Sequence, residues 1–481
     1  IIDAREWDAS REAYVVSARA KAHSAKTERY MAPNARLPDL SPRGWYLYAS
    51  TLDIWQSRLE RAIAERHLED SWLGDRRAYL MGLMPADEQL LPPRENRFDV
   101  VECAMYAPEL LPATPVEDDF EILTPSHPPL DDSKKEAIAM VFHNPMSCIL
   151  GPPGTGKSQT IAALIDEYLC RHPEGPVKIL VSASSYEPMS VVLDKLQSHR
   201  DAAGNPTRAA SIEKVWLRAT SREGLDREDV RDFCLDTGRK RMYLDGEQIK
   251  RGKKSRLYEG EKWRMDDELP DRFILFGVPF QLSQLLRRKD GLGEYLHIEH
   301  FAFDLVIVDE ASQMPVDQAT TLLPLIRRGC VETAPLPVLD DKAPLTDAAM
   351  VEAMHAERVV GVHGNVLSAE DLTRIILVGD HNQLPPVQQI EPPEKLRAIL
   401  ESAFAYFQQH LGVPSTQLQT NYRSREEVVA YTNSLDLYEH PVIPFFADHP
   451  GIEPLPSPPD PCPTWLESLL EDGCVVSALV H

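Results

Sequence analysis

The chain has 481 residues, a formal net charge of -24, 43% hydrophobic and 26% charged residues. That length predicts about two to four domains, and the composition is that of a globular chain. The acidic balance argues against a protein that coats nucleic acid nonspecifically, but not against a local basic channel, because phosphate binding depends on local potential. No apolar run reaches the ~20 residues of a membrane-spanning helix, and no N-terminal signal pattern is visible. The seven cysteines form no C-x-x-C pair and no His/Cys cluster. This argues against zinc, iron–sulfur or a disulfide framework and fits a cytoplasmic setting.

Residues 1–125 carry no catalytic motif. The stretch Glu6 to Lys26 is expected to be helical. So is Trp45 to Leu68, where Leu52, Trp55, Leu59 and Ile63 recur at spacings of three and four. The region is read as a mostly helical accessory domain. Its apolar stripe is read first as core packing and second as a face for protein partners. Prolines at Pro92-Pro93 and from Pro125 to Pro129 mark boundaries.

From residue 126 the pattern changes to strands alternating with helices, which predicts an α/β fold with a parallel sheet. Cys148-Ile149-Leu150 ends a buried strand, and Gln159 to Arg171 is helical, with Ile161, Leu164, Ile165 and Leu169 on one face. Between them stands Gly151-Pro152-Pro153-Gly154-Thr155-Gly156-Lys157-Ser158, a full match to the phosphate loop G-x-x-x-x-G-K-[ST]. Glycines let backbone N–H groups turn toward an anion, and the helix N-terminus adds positive potential. In such a loop Lys157 reaches the β- and γ-phosphates and Ser158 holds Mg²⁺. Gln159 follows directly and is counted with the nucleotide site.

Further strands are expected at Val177 to Val181, Phe273 to Phe276, Leu305 to Val308 and Arg374 to Val378. Two insertions, at about 200–268 and 329–370, interrupt them. The first carries Gly238-Arg239-Lys240-Arg241 and the run from Lys250 to Arg256. Such runs are read as solvated loops, with nucleic-acid contact as the second reading. Cys474 to Val480 reads as a last strand.

Asp309-Glu310 follows an apolar strand, at the end where ligands sit in open α/β sheets. In a P-loop enzyme this Asp holds Mg²⁺, and a neighbouring carboxylate orients or deprotonates the attacking water. Gln383, within Gly379-Asp380-His381-Asn382-Gln383-Leu384-Pro385-Pro386, lies after another strand and is a candidate to touch both γ-phosphate and water.

In their order, the phosphate loop, Asp309-Glu310-Ala311-Ser312-Gln313, the 379–386 stretch and Asn421-Tyr422-Arg423-Ser424 resemble the superfamily 1 helicases. The resemblance is to the Upf1-like branch, 5′ to 3′ translocases that include the helicase of nonsense-mediated RNA decay. It covers about residues 126–440. It implies RecA-like domains, ATP and Mg²⁺ as cofactors, and single-stranded DNA or RNA as partner. It also implies roles: Lys157, Glu310, Gln383 and Arg423 in catalysis, Ser158 and Asp309 on the metal, and Tyr422 against adenine. Arg423 would reach the γ-phosphate from a second lobe, and Ser182 to Tyr186 would grip the nucleic-acid backbone on a positive face.

Lys134 stands where the family has an adenine-reading Gln, and Ala183-Ser184-Ser185-Tyr186 is a loose match to the family's A-P-S-N. The expected domains are 1–125, a RecA-like domain at 126–415, and the start of an incomplete second one at 416–481. Only about sixty residues follow Arg423, too few for a full lobe. The chain is therefore expected to be either an excerpt or a truncated relative. Two other readings stay open: an AAA+ protein remodeller, and a nucleotide-dependent clamp or sensor that binds nucleic acid without unwinding. The gap between Lys157 and Asp309 is longer than a compact AAA+ core uses.

Overall fold

The computed structural model describes residues 2–8, 13–18, 96–114, 120–124, 126–218, 230–236, 241–244, 247–248, 269–285, 302–334, 354–386 and 402–445. The chain divides into two units, Ile1–Glu65 and Arg66–His481.

In the first unit the described residues form an antiparallel hairpin, Ile2–Asp8 paired with Ala13–Ala18 in a register that sets Trp7 opposite Tyr14. The helix expected over Glu6 to Lys26 is therefore corrected. Tyr14-Val15-Val16 is a run of strong strand formers, and pairing with a neighbouring extended segment overrides the helical spacing. The helix expected over Trp45 to Leu68, the 250–256 basic run and the 474–480 strand lie outside the described residues.

The second unit is built on one large sheet. In chain order its parts are helix α1 (Asp132–His143), strand β1 (Met146–Leu150), helix α2 (Lys157–Arg171), β2 (Val177–Ala183), α3 (Tyr186–Ser198), β3 (Glu213–Arg218), β4 (Arg231–Asp236), β5 (Arg272–Phe276), β6 (Leu305–Asp309), β7 (Arg374–Gly379), β8 (Ser415–Gln417) and α4 (Glu426–Ser434). Across the sheet the order is β4-β3-β5-β2-β6-β7-β1-β8, and every neighbouring pair is parallel. Antiparallel strands Arg241–Leu244 and Glu247–Gln248 extend it beyond β4. This is an α/β, RecA-like arrangement. The strands that carry the chemistry, β1, β6 and β7, are buried at every position, as strands covered on both faces must be.

Helix α2 is also buried almost throughout, from Thr160 to Leu169. Its outer side is closed by residues 120–124. There the Glu167 carboxylate accepts hydrogen bonds from Leu123 N at 3.1 Å, Thr124 N at 3.0 Å and Thr124 Oγ1 at 2.8 Å, and pairs with Arg171 at 2.7 Å. A buried charge is tolerated here because each oxygen has a partner.

Two expected domain limits differ from the structure. Arg97–Asp99 pairs with Gly329–Thr333 in a four-stranded antiparallel sheet completed by Ala356–Gly361 and Val366–Leu367. The stretch before residue 125 is thus partly built into the main body, and part of the 329–370 insertion is the sheet that holds it. At the other end, Ser415–Gln417 does not open a separate domain. It is β8, the edge strand beside β1, with Cys148 N donating to Pro414 O at 2.8 Å.

Candidate nucleotide site

β1 lies between β7 and β8, whereas the chain that leaves it returns three strands away, at β2, with β7 and β6 between. The carboxyl ends of β1, β7 and β6 therefore open side by side at a switch point of the sheet. The phosphate loop follows β1, Asp380 to Gln383 follow β7, and Asp309-Glu310 end β6.

Gly154 and Gly156 both have φ of +83°, the left-handed conformation that lets this loop curl. Thr155 is fully buried, and its hydroxyl donates to Pro152 O at 2.7 Å, holding the curl from inside. Lys157 begins α2 and its side chain crosses Gly151. An added Cβ at Gly151 would lie 2.3 Å from Lys157 Cγ, so only glycine leaves the path open. Lys157 Nζ then meets Glu310 Oε1 at 3.2 Å.

Glu310 sits at φ +49°, unusual for a residue with a side chain. The bend turns its N–H back onto Asp309 Oδ1, at 2.9 Å. Its second oxygen, Oε2, is buried with no hydrogen-bond partner. Asp309 is 2% exposed. Burial first, and then the Glu310 charge, push its carboxyl up to about 7, against the opposing pull of Lys157. Two carboxylates and one ammonium thus share a partly dry site. Among the described residues no three His, Cys, Asp or Glu form a cluster able to hold a metal on their own.

The 421–424 stretch is also seated on the phosphate loop. Asn421 Nδ2 donates to Pro153 O at 2.8 Å, and Tyr422 N donates to Gly154 O at 2.8 Å. Asn421 Oδ1 accepts from Arg423 N at 2.8 Å and Ser424 N at 2.7 Å, shaping the turn that carries Arg423. A Cβ on Gly154 would come 2.8 Å from Arg423 Cβ. Arg423, expected to reach in from a second lobe, and Tyr422 thus stand against the loop from the same unit.

The Tyr422 hydroxyl donates to Asp131 Oδ2 at 2.7 Å. Asp131 also caps α1 through Lys134 N at 3.0 Å and takes the Lys134 ammonium on the same Oδ2. Burial would raise the Asp131 carboxyl, but hydrogen bonds from Lys134, Ser133 and Tyr422 outweigh it and hold it at about 2. Lys134 is 1% exposed, and its Nζ lies 4.0 Å from the Tyr422 ring centroid. The Tyr422 ring also meets Phe445 at 4.7 Å. Gln159 reaches Pro128 O at 3.4 Å.

Gln383 is placed differently. Its amide donates to Asp380 Oδ2 at 3.0 Å, so the side chain is held within its own loop. Nor is Ser182 to Tyr186 uniform. Ser182 and Ala183 are fully buried in β2, which leaves Ser184, Ser185 and Tyr186 as the accessible part. No Lys or Arg occurs from 182 to 194, so the positive face expected there is not supplied by this stretch. Sequence reasoning missed Asp131, the clamping role of Asn421, and Tyr438, whose hydroxyl donates to Asp380 Oδ2 at 2.9 Å.

Parts of the chain are similar to known proteins. An AAA domain family matches residues 129–268. A "Regulator of nonsense transcripts 1 homolog" of Arabidopsis thaliana is 26% identical over 62% of this chain and 19% of its own. The "ATP-dependent helicase upf1" of Schizosaccharomyces pombe is 26% identical over 43% of this chain and 21% of its own. The "DNA polymerase alpha-associated DNA helicase A" of Saccharomyces cerevisiae is 39% identical over 15% of this chain and 10% of its own. Among solved structures, a nuclease-deletion mutant of the Type ISP restriction-modification enzyme LlaGI in complex with a DNA substrate mimic covers 64% of this chain at 15% identity. That match spans 21% of the LlaGI chain, and its TM-score of 0.27 is too low to bear on the fold.

A phosphate loop, an acidic strand end and this sheet order define a RecA-like P-loop nucleotide-binding fold. With the relatives above, the chain is similar, over part of its length, to ATP-dependent helicases of the upf1 kind. It spans about a fifth or less of the length of those curated relatives.

Proposed function

We propose that the protein is an ATP-dependent helicase or translocase that moves along single-stranded DNA or RNA, in the cytoplasm. The observation that carries this reading is the gathering at the phosphate loop: Lys157, Asp309 and Glu310 meet beside it, and Asn421 to Arg423 are seated on it. A P-loop ATPase needs a cation on the transferring phosphoryl group, a positioned carboxylate near the attacking water and an arginine able to stabilise transition-state charge. Lys157, Glu310 and Arg423 supply these in turn, and Tyr422 borders the base. Phosphates bound in the loop would draw Lys157 away from Glu310 and free that carboxylate for water.

Mg²⁺ suits the donors present, the Ser158 hydroxyl and the Asp309 carboxylate, because it prefers oxygen ligands and is commonly shared with substrate phosphates. The buried, unpartnered Oε2 of Glu310 beside them is a group that bound water would satisfy. When bound, the ion would neutralise charge on the β- and γ-phosphates.

The single-strand partner is supported by aromatic surface at the carboxyl end of the sheet. Tyr186 is 40% and Phe280 47% exposed, and the neighbouring Gln281 donates to the Tyr186 hydroxyl at 2.6 Å. Exposed rings near strand ends are platforms on which bases of any sequence stack. Strand displacement by the full-length protein, on DNA and RNA duplexes with a 5′ or a 3′ single-stranded tail, tests the reading. ATP-dependent displacement from 5′ tails is expected. ATP turnover without displacement on any of them would favour the clamp or sensor.

A further inference from the structure

The two walls of the nucleotide pocket are joined by hydrogen bonds, two of which come from side chains outside the catalytic set, Asn382 and Tyr438; of these, only Tyr438 reaches the carboxylate that holds Gln383. On one wall, Gly151 N donates to Gly379 O at 2.8 Å, linking the phosphate loop to the end of β7 and so to Asp380. On the other, Asn421 and Tyr422 hold the loop at Pro153 and Gly154, and Thr420–Asn421 pairs with Ile443–Pro444. The segment between α4 and Ile443 returns to the first wall. Asn382 Nδ2 donates to Leu437 O at 2.6 Å, and the Tyr438 hydroxyl donates to Asp380 Oδ2 at 2.9 Å.

Asp380 is fully buried, and the Oδ2 that takes Tyr438 also takes the Gln383 amide. Its other oxygen accepts Asn382 N at 3.0 Å. The turn that delivers Leu437 and Tyr438 contains Asp436 at φ +51°. A residue with a side chain keeps that conformation where its surroundings over-determine it. Here they do: Gln417 Nε2 donates to His440 O at 2.6 Å, and Asn433 exchanges two hydrogen bonds with Val442, each at 2.9 Å.

We propose that Tyr438 is a positioning residue that couples the Asn421–Arg423 clamp on the phosphate loop to the Gln383 loop. The inference rests on the nucleotide site described above. While the Tyr438–Asp380 bond is intact, a nucleotide that shifts the clamp also shifts Ile443–Pro444, Tyr438 and, through the shared carboxylate, Gln383. Tyr438→Phe keeps the ring and removes only the bond.

Two readouts on the full-length protein test it. Amide hydrogen exchange at residues 436–442 is measured with and without ATPγS and Mg²⁺. ATP turnover is measured with oligo(dT), with oligo(rU) and with neither. In the wild type, nucleotide is expected to change exchange in this segment; in Tyr438→Phe it is not. The variant is expected to keep basal kcat and KM for ATP within about twofold while strand-stimulated kcat falls about tenfold, the scale of one lost hydrogen bond to a charged group. Wild-type exchange responses in the variant would overturn the proposal. So would a wild-type segment that ignores nucleotide, or an equal fall in basal and stimulated turnover that follows a lowered Tm. A coupled exchange response in a protein that neither strand stimulates would support the coupling and sink the helicase reading alone.

Discussion

Lys157 and Glu310 hold each other at 3.2 Å, and that contact shapes what a substitution at either end does. Glu310→Gln removes the candidate base and releases Lys157 while preserving size and hydrogen bonding. ATP should bind at least as well as to the wild type, while hydrolysis falls by roughly 10²–10⁴, the worth of a positioned base. Equilibrium binding and single-turnover hydrolysis check the split, and a loss of binding would assign Glu310 a structural or metal role. Lys157→Ala removes the cation and should abolish most turnover in a folded protein. Wild-type turnover in that variant would dismiss the site. Asp309 gives a pH signature in the protein without nucleotide or metal. Its folded carboxyl sits at about 7, above the ordinary 3.8. A raised acid is disfavoured as a charge, so its contribution to stability falls as pH rises from about 4 to 7 and is flat above. Asp309→Asn should therefore raise stability increasingly across that range, by an amount on the order of 2–4 kcal/mol at pH 8, read by denaturant titration at each pH. An Asp309→Asn effect that is independent of pH would contradict the burial-driven shift.

At the scale of elements, the clamp on the phosphate loop is the feature that motif reading described least well. Asn421 is 5% exposed and makes three hydrogen bonds across a turn and a loop. Asn421→Ala leaves those groups unpaired and should cost about 1–3 kcal/mol, with weaker nucleotide binding measured by titration. Undiminished binding would show that the loop keeps its shape without the clamp. Asp131 joins the same clamp to α1 and has the opposite pH sign from Asp309. Its depressed carboxyl stabilises the fold above about 3.8 and loses that contribution as pH falls toward 2. After discounting for its partial exposure, Asp131→Asn should remove about 1–2 kcal/mol at pH 7 and less at pH 3.

The strands β1, β2, β5, β6 and β7 were legible because they are continuous apolar runs, and the loop after β1 because its glycines and lysine have fixed chemical tasks. The hairpin at Ile2–Asp8 and Ala13–Ala18 was not, since pairing decided the conformation of residues whose spacing also suits a helix. Tyr438 meets Asp380 across 58 residues of sequence, and β8 joins β1 from more than 260 residues away. No local pattern announces contacts of that kind.

For the whole molecule, the sheet brings three strand ends and the 421–424 turn to one pocket, and the aromatic surface at Tyr186 and Phe280 lies at the same end of the sheet. In the proposed function, ATP turnover in the pocket would drive movement on a strand held outside it. That link, rather than nucleotide binding alone, separates a helicase from an AAA+ remodeller or a passive clamp. The most direct test is the steady-state ATP turnover of the full-length protein with single-stranded DNA, with single-stranded RNA and with neither, beside Glu310→Gln as the control. The account predicts low basal turnover, a rise of at least about tenfold with one or both strands, and no rise in Glu310→Gln. Turnover that ignores both strands, or that persists in Glu310→Gln, would contradict it.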